Sequence, residues 1–203
     1  MLSHKYILVV VLATINLWAE PTKEERYDDG RNVVYLVPNF FGIYQNLDHR
    51  KYIPHLKKIV KEIKPDILCV ELNPADVKRW RVRRRTLKYS RPEYTKGYMK
   101  WQKRYDYLVY PAVPKKEVWP TKVVKQDDYL TPERVKNRYA MIEKVLNAHQ
   151  GEGRSIIISH GLGWFKKFAP LIQKRGDLVV IDLTERIERE ARELKKSQAL
   201  KKR

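Results

Sequence analysis

One cysteine, Cys69, stands in 203 residues, so no intrachain disulfide framework is available, and its place inside an apolar run makes it a small buried hydrophobe. No apolar stretch reaches the roughly 20 residues a membrane-spanning helix needs. No repeat period and no low-complexity segment occurs, which excludes a solenoid or a tail-dominated chain. Acidic residues are few beside basic ones: 24 Asp and Glu against 43 Lys and Arg, a formal net charge of +19. Such an excess favours anionic neighbours, namely nucleic acid, phosphate-rich surfaces or acidic headgroups, and says nothing about fold. An apolar fraction of 43% and a charged fraction of 33%, mixed in sign along most of the chain, predict a globular domain rather than disorder.

The first residues qualify the charge. The segment MLSHKYILVVVLATINLWAEP has a short polar start with Lys5, an apolar run from Tyr6 to Ala19 broken only by Thr14 and Asn16, and a small residue before a charged stretch. This is the pattern of a secretory signal over residues 1–19, cut after Ala19 with Leu17 at the third position before the cut. The expectation is an exported protein, periplasmic or extracellular. The alternatives are membrane anchoring by an uncleaved signal and a buried first strand. Export argues against intracellular DNA or RNA as a partner. A polar linker follows over 20–31, and the remaining 32–203 are expected to form one domain.

Within that domain strands alternate with helices. NVVYLV (32–37) is β-branched and ended by Pro38. Ile53, Leu56, Ile59, Val60 and Ile63 share a helical face, with Pro54 placed in a first turn and Pro65 as the stop. DILCVEL is continuous and apolar, as a central parallel strand should be. Thr131 and Pro132 open a helix that puts Val135, Tyr139, Ile142 and Leu146 on one face. SIIIS, WFKKFAPLIQK and DLVVIDL then read as strand, helix and strand, and Thr184 caps a charged C-terminal helix. The fold class is α/β, a single domain with a largely parallel central sheet flanked by helices. The middle, 74–116, reads as a basic, aromatic helical insertion, and EVWPTKVV (117–124) as a short strand confined to an edge by Pro120.

In an open parallel sheet the ligand crevice lies outside the carboxyl ends of the strands. PNFFG, VELNP and ISHGLG all fall at such ends, which makes Glu71 and His160 candidates to face one another. A Glu and a His at one crevice can share a divalent metal or act as base and acid on a water. The alternative at this point is structural: Glu71 paired with one of the many arginines, and His160 filling a turn. A buried carboxylate without a partner would cost stability, so Glu71 needs a neighbour, His160 or an Arg.

The order of KPDILCVEL, ERVKNRYAMIEKVL and GRSIIISHGLGWFKKFAPLI resembles the superfamily of TraB, ChaN, Tiki and erythromycin-esterase-like proteins, in particular its small bacterial TraB/ChaN-like members, over roughly residues 32–183. The resemblance implies hydrolysis, with Glu71 and His160 matching a functional Glu after the second strand and a Gly-x-x-His-like turn after a late one. The superfamily includes metal-dependent proteases, metal-independent ester hydrolases and a haem-binding lipoprotein, so the cofactor stays open: a divalent metal on Glu71 and His160, or none. The first family motif, Gly-Thr-x-His, is replaced by LVPNFFG. Asn39, or more distantly Asp48 and His49, stands where that histidine is missing, and a diverged, inactive member is the alternative to a working enzyme. Asn137 and Arg138 stand where the family has an Arg-Asn pair in its helix, and Arg138 is a binding candidate. The substrate class is a small molecule or peptide.

KRWRVRRRTLKY (78–89), followed by Tyr94, Tyr98, Trp101, Tyr105, Tyr107 and Tyr110, interleaves cations and aromatics. Such a segment grips phosphates and stacks rings. In an exported protein it fits an anionic surface or a lid over the crevice, with Arg83 and Arg84 as binding residues. It also supports a rival reading, a non-catalytic protein that binds an anionic or haem-like ligand, tyrosine being able to ligate haem iron. The bland alternative is a solvated helix face with its aromatics packed on the sheet.

Overall fold

The computed structural model describes residues 30–38, 49–72, 74–75, 77–78, 101–102, 104–115, 117 and 130–200. The elements used here are β1 (Asn32–Leu36), α1 (His49–Ile63), β2 (Ile67–Val70), β3 (Leu108–Pro111), α2 (Pro132–Ala148), β4 (Ser155–Ser159), α3 (Leu162–Gln173), β5 (Leu178–Asp182) and α4 (Thr184–Leu200). The strands form one sheet in the order β3-β2-β4-β1-β5, and every pairing is parallel. The chain is thus a single-domain α/β protein.

The three inner strands are buried along their whole length, as strands covered on both faces must be, and this is why they read as unbroken apolar runs. Helix pairs cover the two faces: α1 contacts α4, and α2 contacts α3. These are the pairs that right-handed crossovers produce, because α1 carries the chain towards β2 while α2 and α3 carry it the opposite way across the sheet. Both faces feed one core, in which Leu36, Leu56, Leu68, Ile142, Ile157 and Ile172 have no exposed surface.

Local chemistry sets the ends of the helices. Thr131 caps α2 through Oγ1, which accepts from the Arg134 N–H at 3.4 Å, with Pro132 in the first turn. α1 ends where Lys64 turns left-handed at φ 50° and donates its N–H to the Val60 carbonyl, with Pro65 barring continuation. α1 begins at His49, earlier than the apolar face alone implies, so Pro54 lies inside the helix rather than in its first turn.

One strand falls where a helical insertion was expected. β3 is four residues of the Tyr-rich middle, ends in Pro111 and sits at the sheet edge with Leu108 half exposed. An edge strand tolerates a proline because one side of its ladder is unpaired. The ladder continues past Pro111, where the Ala112 and Val113 N–H groups donate to the carbonyls of Val70 and Leu72. The expected strand over 117–124 lies outside the described residues apart from Glu117, as do the signal-like residues 1–19. Among the described residues no helix is long and apolar enough to cross a membrane.

Candidate functional site at the strand C-terminal ends

β4 lies between β2 and β1. The connections after β1 and β2 leave towards the β3 edge, while the one after β4 leaves towards β5. Chain segments that diverge in this way leave a crevice outside the carboxyl ends of the strands between them. Glu71 is the first residue past β2 and His160 the first past β4, so the topology brings both to that crevice.

Glu71 is held from two sides. Its Oε1 accepts from Arg138 Nη1 at 2.8 Å, and its Oε2 accepts from the Gly161 backbone N–H at 3.0 Å. Its side chain keeps 12% exposure. Gly161 caps α3 at φ −56° and ψ 143°, and a Cβ there would lie 3.5 Å from Glu71 Oε2. A side chain there would rest against the carboxylate and against Trp164 Cδ1 at 3.7 Å.

Arg138 organises the site from α2. It stands on the buried stripe with Ile142, Val145 and Leu146, and its side chain has no exposed surface. A buried guanidinium is tolerable only when paired. Besides Glu71, it holds Glu117, with Nε donating at 3.0 Å to both carboxylate oxygens and Nη2 donating at 2.6 Å to Oε1. The guanidinium carbon also lies 3.8 Å from the centroid of the Trp164 ring, a cation–π contact on its flat face. Burial pulls the Arg138 pKa down, but the hydrogen bonds and charges of Glu117 and Glu71 outweigh it and hold the value above the ordinary one.

His160 has no exposed surface. Its ring meets Phe168 edge-on at 5.3 Å and 87°, and Trp164 stacks on the same Phe168. Burial first, and then the positive charge of Arg138, push its pKa well below the ordinary value, so the imidazole is neutral at pH 7. Neither Nδ1 nor Nε2 has a hydrogen-bond partner among the described residues. Buried polar atoms are nearly always paired, so this pair of bare nitrogens needs an explanation.

Glu71 and His160 thus stand at neighbouring strand ends, but they do not hydrogen-bond to each other; the partner of Glu71 is Arg138. Among the described residues no three His, Cys, Asp or Glu side chains could hold a metal together. The metal expected on Glu71 and His160 finds no third such ligand among the described residues, and Glu71 Oε1 accepts from the Arg138 guanidinium. Arg138, expected as a binding residue, is wholly buried and binds two carboxylates of its own chain. Asn39, Asp48, Arg83 and Arg84 lie outside the described residues. Glu117 escaped the sequence reading, because nothing in its neighbourhood distinguishes it; the parallel run of 112–113 beside 70–72 brings it in. The signal for Arg138 was available: an arginine on the Val135, Ile142, Val145 stripe is a charge on a core face.

Comparison with known protein families, with curated proteins and with solved structures gives no match.

Proposed function

We propose that the chain is an exported, TraB/ChaN-like hydrolase whose working groups are Glu71 and His160. The observation that carries this reading is a fully buried, neutral His160 whose two ring nitrogens have no hydrogen-bond partner among the described residues, at a strand end next to that of Glu71, whose side chain keeps 12% exposure. Glu71 is oriented by Arg138 and Gly161, and each of its oxygens retains a lone pair for a water. His160 offers one bare nitrogen and one N–H, the equipment of a proton carrier. Glu71 positions the water, the new carbon–oxygen bond forms as the acyl bond breaks, and the water's proton passes through His160 to the leaving group. Since His160 has no exposed surface, the crevice opens before substrate reaches it. The apolar segment 6–19 and the order of motifs support export and the family reading. The second reading, a binding protein that uses Arg83, Arg84 and the rest of 78–89 on an anionic or haem-like ligand, is favoured by the net charge of +19.

The test is hydrolysis of a panel of p-nitrophenyl carboxylic esters and a quenched fluorescent peptide by the purified protein, with and without added Mn²⁺ or Zn²⁺. The expected result is turnover by the wild type that falls by roughly 100-fold or more in Glu71→Gln and in His160→Leu, both remaining folded. Absence of turnover in the wild type, or turnover that survives in both variants, overturns the proposal.

A further inference from the structure

A second group of reactive side chains includes the turn at the amino-terminal end of the sheet, where α2 leads into β4. The turn 149–154 needs left-handed backbone at Gly151 (φ 76°) and Gly153 (φ 61°). Asn32, the fully buried first residue of β1, pins it at both ends. Its Nδ2 donates to the His149 carbonyl at 2.7 Å, and its Oδ1 accepts from the Arg154 N–H at 2.7 Å. The backbone is thereby satisfied without the His149 side chain.

That side chain bridges two others. Its Nε2 lies 3.1 Å from the Tyr110 hydroxyl of β3, the rings meeting at 5.7 Å and 67°. Its Nδ1 lies 3.0 Å from Glu152 Oε2, which Arg154 Nε also holds at 3.0 Å. An ionised carboxylate only accepts, so in the neutral imidazole Nδ1 carries the hydrogen and Nε2 is left bare to receive the phenol's proton. The hydrogen bonds from His149 and then Arg154 hold the Glu152 carboxyl below its ordinary pKa, which keeps that acceptor ionised. Tyr110 and His149 are partly buried, and Glu152 is 40% exposed. A hydroxyl, a base within hydrogen-bond reach and a third group orienting the base is the arrangement that activates a nucleophile.

We infer that Tyr110, His149 and Glu152 form a second reactive site, in which the Tyr110 oxygen accepts an acyl group from an activated acyl donor. The Tyr110 Oη–acyl bond forms as the bond from the acyl carbon to the leaving group breaks. The phenol proton goes to His149 Nε2 and from there to the leaving group. Glu152 is a positioning residue that fixes the tautomer. The site is independent of Glu71 and His160.

The experiment uses N-acetylimidazole, which transfers its acetyl group and leaves as imidazole, at limiting concentration on the full chain, with peptide mapping over the thirteen tyrosines. Tyr110 is expected to acetylate first, roughly ten-fold or more ahead of the other tyrosines. Glu152→Gln, at an exposed position, and His149→Phe are expected to remove that lead while leaving the melting temperature and the other tyrosines unchanged. Long-range ¹H–¹⁵N correlation should show His149 with its hydrogen on Nδ1 in the wild type and a tautomer mixture in Glu152→Gln. Acetylation without preference for Tyr110, or a preference that survives both substitutions, overturns the inference and leaves His149 as a helix cap.

Discussion

Arg138 carries two carboxylates inside a protein of 43 basic residues, and the energetics of that arrangement are asymmetric. Removing the arginine leaves Glu71 and Glu117 side by side with little solvent, whereas neutralising Glu71 leaves Arg138 with the three hydrogen bonds to Glu117. Breaking a buried pair from the side of the shared partner costs about 3–5 kcal/mol. Losing one of several hydrogen bonds to a charged group costs about 1.5–3 kcal/mol, and the amide of a glutamine can still accept from Nη1. Urea unfolding should therefore find Arg138→Met destabilised by about 3–5 kcal/mol and Glu71→Gln by no more than about 1.5 kcal/mol. Equal losses would make Glu71 a structural ion pair and withdraw it from the site. At this scale the sequence was half legible. That Glu71 needs His160 or an Arg as a neighbour followed from desolvation alone, and Arg138 was legible only as a binding candidate. Glu117 was not, because its contact spans 21 residues through a segment with no periodic signal.

Among the elements, α3 is the one that meets the site end-on: its cap, Gly161, donates to Glu71, and its first turn supplies Trp164 beneath Arg138. Gly161 has ordinary backbone angles, so the glycine is not required by conformation. A methyl there would meet Glu71 Oε2 at 3.5 Å and Trp164 Cδ1 at 3.7 Å, ordinary packing distances. Gly161→Ala should consequently change unfolding free energy by less than about 0.5 kcal/mol while lowering ester turnover, since its methyl would pack against Oε2 of the proposed working carboxylate. Unimpaired turnover in this variant would show that substrate does not use that side of the carboxylate. The elements themselves were mostly legible, because β1, β2 and β4 are buried on both faces and α2 carries its own cap and stripe. β3 was not. Its four residues include a proline and an exposed leucine, and its strand character comes from β2 beside it, not from its own pattern.

Over the whole molecule, the sheet order brings Glu71 and His160 to neighbouring strand ends, and the core buries His160 with no hydrogen-bond partner among the described residues. A protein built only for stability would place an apolar side chain there, since two bare nitrogens in an apolar setting oppose folding. Under the proposed function His160 is retained for chemistry at that cost, which has a signature in the dependence of stability on pH. The pKa of His160 is depressed in the folded state relative to about 6.5 in the unfolded chain. The unfolded state therefore binds the proton first: the neutral histidine's share of stability is present above pH 6.5 and is lost as pH falls towards the folded value. The slope from this one group approaches about 1.4 kcal/mol per pH unit. The window from pH 7.5 to 5 lies above the depressed carboxyls of Asp177 and Glu152, and comparison with a variant cancels whatever the remaining groups contribute. The deciding measurement is the urea unfolding free energy of the wild type and of His160→Leu across that window. The account predicts that the variant is the more stable at pH 7 and that the gap widens as pH falls to 5. A variant less stable at pH 7, with a curve parallel to the wild type, would contradict it and return His160 to the role of a structural side chain.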